Sequence, residues 1–272
     1  MKQALENRTK IHLFQGGAFA ILGVILSSLG YASSSAPVNL DEIVGPVLFW
    51  YAVVMLLLAF PLREAAAACN RGLRTRLGAA VFWPYLLVHL LLYGFLVEVI
   101  LGSIYGLTST LSPSIVVSTD TFMPASALST LLNLAYNPSV AFALPPALSG
   151  ELTAYAVSIA VLVDVLLLAN VVTTVELGRL CTLGGKARSY FLMPMVGLVL
   201  GASCCLSIPA LISITSPSAN ASSAFIGLYT DAYYLFPPFA VVVLFLNFWS
   251  VVKITNRVKP PPSQPGEKIA TP

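Results

Sequence analysis

The sequence predicts an all-α integral membrane protein with six transmembrane helices and both termini in the cytoplasm. Three observations predict it. Of 272 residues, 57% are hydrophobic and only 9% charged, whereas a soluble domain carries about 25% charged residues. The apolar residues gather in six runs near the length of about 20 that crosses a bilayer. All 14 Lys and Arg fall in alternate connections, which orients the runs.

Residues 1–10 form a polar cytoplasmic lead with Lys2, Arg8 and Lys10. Span 1, about 11–31, carries Gly16, Gly17, Gly23 and Gly30, small residues that let helix backbones approach closely in lipid. It lacks a convincing cleavage site, so it reads as a retained span rather than a signal peptide. The link at 32–43 has no basic residue. Span 2, about 44–62, leads into a first elbow, 63–76, with Arg63, Arg71, Arg74 and Arg76.

Span 3, about 78–103, holds Pro84, His89 and Glu98. The longest connection, 104–150, is external, rich in Ser, Thr and Pro, and free of Lys and Arg; within it 128–136 reads as a short interfacial helix. Span 4, about 152–175, contains Asp164 and Asn170. A second elbow, 176–188, supplies Arg179, Lys186 and Arg188. Span 5, about 190–213, runs through Pro194, Cys204, Cys205 and Pro209. A polar loop at 213–224 precedes span 6, about 232–252. The transmembrane domain thus covers 11–252, and the proline-rich tail, 253–272, is expected to be disordered.

The lead, the two elbows and the tail hold three, four, three and four basic residues, which is the full set. Lys and Arg near span ends resist translocation, so all four segments belong inside. Five or seven spans would put a basic cluster outside. The expected setting is a multi-pass protein of the cell membrane, with the bilayer as partner. The basic residues report threading, not nucleic acid.

The elbows resemble each other. With Glu64 set on Glu176, Cys69 meets Cys181, Gly72 meets Gly184, Arg74 meets Lys186 and Arg76 meets Arg188. A proline follows in each next span, Pro84 and Pro194. This suggests a parallel duplication of a helical hairpin, spans 2–3 and 4–5, related by an axis along the membrane normal. Both elbows are candidate docking sites for a cytoplasmic partner or other membrane subunits.

Asp164 is the most informative single residue. It lies about 12 residues, or roughly 18 Å, into span 4, near mid-bilayer. A carboxylate there costs about 2.5–3.5 kcal/mol on insertion scales and needs a partner, a proton or water. His89 lies at comparable depth in span 3, so the two form a candidate intramembrane polar pair: a proton relay, or a simple interhelical clasp. Glu98, near the outer end of span 3, reaches for the headgroups and does not share the face of His89.

Cys204 and Cys205 resemble the intramembrane cysteine pair of mercuric-ion transport proteins, which would make them metal ligands. The competing reading is packing: Gly197, Gly201 and Cys205 form a small-residue stripe, and adjacent helical cysteines diverge by about 100°. The elbows also resemble the cytoplasmic loop of permeases of ATP-driven importers, which has Glu-Ala-Ala, then a glycine, then a proline opening the next span. Here Glu64-Ala65-Ala66 carries the likeness; the second copy reads Glu176-Leu177-Gly178. The resemblance implies an ATPase partner at the elbow.

No cofactor is expected. His12 and His89 differ in depth by roughly 15 Å, which separates them as axial ligands of one haem. No HExxH, GxSxG, Walker A or GxGxxG occurs, and an enzyme is not expected. Two functions remain: a small transporter or permease component with a path past His89 and Asp164, or a non-catalytic subunit that anchors a larger membrane complex.

Overall fold

The computed structural model describes residues 2–32, 40–94, 114–119, 134–135, 137–144, 148–182 and 223–258. They are mostly helical. Helix α1 spans Lys2–Ala32, α2 Leu40–Ala59, α3 Arg63–Leu73 and α4 Arg76–Gly94; α5 spans Ala154–Thr182 and α6 Ser223–Val258. Two helical stretches, Ala154–Leu180 and Pro237–Arg257, are long and apolar enough to cross a membrane. Ile43–Ala59 and Arg63–Leu73 make a third if the pair, bent by 90°, is taken as one broken span.

Helix α5 is the hub, contacting α2, α3, α4 and α6. Its Leu162, Val163, Leu166 and Ala169 are buried in one apolar cluster with Leu62, Ala65, Leu244 and Phe248. A helix apolar all round is stable only when it is enclosed, and α5 is enclosed by its neighbours. Thr153 starts it: its Oγ1 accepts a hydrogen bond of 3.1 Å from the Ala156 amide, the geometry of an N-cap.

Helix directions follow from the contacts. Helices α1 and α2 are antiparallel: a side chain at Gly16 would meet Leu56, and one at Gly23 would meet Gly45 and Phe49. Helix α2 descends beside α5. Trp50 packs edge-on to Tyr155 at 4.9 Å, and the chain leaving α2 reaches Leu168 and Val172 through Gly72. Helix α4 climbs back toward the strand that feeds α5. Helix α6 runs parallel to α5, because Asn170 meets Leu244 and Asn247 while Glu176 shares a cavity with Asn256.

Three expectations are corrected. The long connection at 104–150 is not all loop: β1 (Ser114–Ser118), β2 (Ser139–Leu144) and β3 (Leu148–Thr153) form an antiparallel sheet in that order. Ile115, Val116 and Val117, paired with Phe142, Ala141 and Val140, are β-formers that the surrounding Ser and Pro had masked. The fold is therefore not purely helical. Of the helix expected at 128–136, the described part is Leu134–Ala135, which is helical. Second, the polar lead joins α1 without a break, and α6 begins at Ser223 and runs on to Val258.

Third, the two elbows differ. The first is a helix of its own, α3, turned 90° from α2. In the second, α5 runs unbroken through Glu176 to Thr182. The remainder, with Gly184, Lys186 and Arg188, lies outside the described residues. So do Glu98, Pro194, Cys204, Cys205 and all of 190–213.

Candidate functional site

The site is built on α3 lying across α5. The buried face of α3 is Ala65, Ala68, Cys69 and Gly72, spaced as one helical stripe. Small side chains let it approach closely. A Cβ at Gly72 would stand 2.7 Å from a Val172 methyl. Glu64 in the first turn and Arg71 in the last oppose the partial charges of the helix ends. Thr75 ends α3 and starts α4. Its Oγ1 donates to the Gly72 carbonyl at 2.7 Å and accepts from the Gly78 amide at 3.0 Å. Gly78 must be glycine, since a Cβ there would strike the Gly72 carbonyl.

Asp164 is fully buried in α5. Among the described residues neither of its carboxylate oxygens has a hydrogen-bond partner; the other buried side-chain oxygens in that state include hydroxyls of Ser27 and Thr174. His89 is also fully buried, with its ring edge-on to Tyr85 at 5.9 Å. No hydrogen bond joins the two. Phe82 clusters with Val165 and Leu168, and His89 stands seven residues, about two turns, further along α4. Cys69 lies in the same apolar cluster as Val165, the residue after Asp164. Burial pushes the Cys69 thiol up to about 11, and the Asp164 carboxylate pushes the same way. This neighbour was not legible in the sequence, where Cys69 sits in the elbow.

Nearly two turns toward the C-terminal end of α5, polar side chains lock α6 in place. Asn170 Nδ2 donates to the Leu166 and Leu244 carbonyls at 2.8 and 3.0 Å. Asn247 Nδ2 donates to Asn170 Oδ1 at 2.8 Å. Beyond this clasp a cavity of about 280 Å3 opens between α3, α5 and α6, lined in part by Glu64, Arg71, Thr173, Glu176, Phe248 and Asn256. The structure thus brings together Glu64 and Glu176, the paired glutamates of the elbows. Arg74 and Arg76 are exposed and lie outside the lining. Thr173 and Asn256 carried no signal in the sequence, because a Thr late in a span and an Asn after it are ordinary at a membrane boundary.

On the same stretch of α6, between Phe248 and Asn256, Lys253 Nζ stands 3.3 Å from the centroid of the Trp249 ring, a cation–π contact. Trp and Lys near a span end are the residues that mark a bilayer interface. Comparison of the chain with known protein families, with curated proteins and with solved structures finds no match.

Proposed function

We propose that the chain is a small membrane transporter or permease component, threaded six times with both termini inside, in which Asp164 carries the moving ion or proton. The observation that carries this reading is the full burial of Asp164 with both oxygens lacking partners among the described residues. A carboxylate held that way is costly, and intramembrane carboxylates are retained chiefly where ions or protons pass. The helix directions support the threading: α2, α5 and α6 descend while α1 and α4 climb, as spans 2, 4 and 6 must oppose 1 and 3.

The clasp reading of Asp164 loses ground, because a clasp needs a partner and no hydrogen bond joins Asp164 to His89. The test uses the purified chain in liposomes loaded with a pH-sensitive dye, under an imposed membrane potential. Wild type and Asp164→Glu should dissipate the gradient, and Asp164→Asn should not. Equal flux from wild type and Asp164→Asn would sink the proposal. Stoichiometric partner chains on purification, with no flux at all, would favour the anchoring subunit instead.

A further inference from the structure

We propose that the corner between α3 and α4 is a binding site for one anionic glycerophospholipid, its phosphate held by Arg74 and Arg76 and an acyl chain lying along α4. This rests on α4 crossing the bilayer, as in the proposed threading, and is independent of Asp164. Arg76, Ala80, Trp83 and Leu87 recur at i, i+4, i+7 and i+11, and so share one face of α4. All four are exposed, and Trp83 and Leu87 keep 62% and 59% of their surface free. Phe82 points the other way, into the cluster with Val165 and Leu168. The exposed face thus begins on a guanidinium and continues as hydrocarbon. From Arg76 to Leu87 it rises about 16 Å, close to half of the roughly 30 Å hydrocarbon core. One lipid presents the same order of groups over the same length: a phosphate at the surface, then an acyl chain through one leaflet. A soluble anion would use the guanidinium and leave the apolar face uncovered.

The charge selects an anionic headgroup. Arg74 and Arg76 are both exposed at the corner, and the chain has no Asp or Glu between Glu64 and Glu98. The Thr75 hydroxyl between them is used within the turn, donating to the Gly72 carbonyl and accepting from the Gly78 amide. That leaves the two guanidiniums to meet the ligand, and a guanidinium matches phosphate oxygens with paired donors. The phosphate of phosphatidylcholine is balanced by its own choline. That of phosphatidylglycerol has no such partner and brings a net negative charge to the corner.

The test is quenching of Trp83 fluorescence by lipids brominated on the acyl chain. It is read as the difference between the full chain and its Trp83→Phe variant, in mixed vesicles of phosphatidylglycerol and phosphatidylcholine. At equal mole fraction, brominated phosphatidylglycerol should quench more than brominated phosphatidylcholine. Its relative affinity should be at least about fivefold higher, the scale of one arginine near an anionic surface. Arg74→Gln combined with Arg76→Gln should abolish that preference. Both side chains are exposed, so the unfolding temperature should stay at the wild-type value. Lys253→Gln combined with Arg257→Gln, which removes two exposed cations of α6, should leave the preference intact. Equal quenching by the two lipids, a preference that survives loss of both arginines, or one that falls as far with the α6 changes would overturn the proposal. So would loss of the preference on adding water-soluble glycerol 3-phosphate, by showing that the phosphate alone fills the site. Quenching without preference would still leave α4 among the acyl chains, whereas no quenching by either lipid would overturn the crossing of α4 along with the site.

Discussion

Asn170 ties the central helix to α6 with two hydrogen bonds, one donated to the Leu244 carbonyl and one accepted from Asn247, and donates a third within α5 to the Leu166 carbonyl. Interhelical hydrogen bonds in membranes average about 0.6 kcal/mol and reach about 1.7. Asn170→Ala also leaves the Asn247 amide without its acceptor, so it should cost about 1–2 kcal/mol. Asn247→Ala should cost less, because Asn170 keeps both carbonyl acceptors. A double-mutant cycle read by thermal unfolding in detergent should give a coupling of about 0.5–1.5 kcal/mol; additive losses would mean that the bond between the two amides contributes nothing. Asp164 and Asn170 stood out in the sequence because a polar group inside an apolar run is expensive. Their neighbours did not. Cys69 is 95 positions from Asp164, and only the fold of α3 onto α5 brings it into the cluster with Val165 and Leu168 beside that carboxylate.

At the scale of elements, α3 was legible in principle. Ala65, Ala68, Cys69 and Gly72 repeat at i, i+3, i+4 and i+7, the signature of a helical stripe. The surrounding arginines made the segment read as an elbow, and its basic face is real. Short helices of this kind are stable through packing rather than propensity, which is why the tertiary contact with α5 decides the outcome. The sheet failed to register for the opposite reason: its strands are five or six residues long, too short to dominate a stretch rich in Ser and Pro. Close helix approach, by contrast, was expected from the glycines of span 1, and their burden is uneven. A Cβ at Gly23 would lie 2.6 Å from the Gly45 carbonyl oxygen, whereas Gly17 has open space. Gly23→Ala should therefore force α1 and α2 apart and cost about 1–3 kcal/mol. Gly17→Ala should be neutral or slightly stabilising, since Ala is the better helix former. Equal thermal midpoints for the two variants would contradict the crossing point.

For the whole molecule, the proposed threading rests on the distribution of Lys and Arg, which no single element carries. Charge placement is a property of the chain as a whole, and it does not depend on where each helix begins, as with α6, whose helix starts at Ser223 ahead of its apolar stretch. The structure adds an independent geometric constraint. The parallel run of α5 and α6 agrees with the proposed threading, in which both helices cross in the same direction. On the proposed threading the cavity of Glu64 and Asn256 lies on the cytoplasmic side, and the sheet of β1 on the other. In a chain cleared of its four native cysteines, Glu64→Cys and Asn256→Cys should react with a membrane-impermeant maleimide only after the cells are permeabilised. Ile115→Cys, on an exposed position of β1, should react on intact cells. Labelling of position 64 from outside would invert the protein, and labelling of 64 and 115 from the same side would remove α4 as a crossing. Either result would overturn the proposed threading, the first by reversing its direction and the second by removing the crossing that packs against α5 beside Asp164.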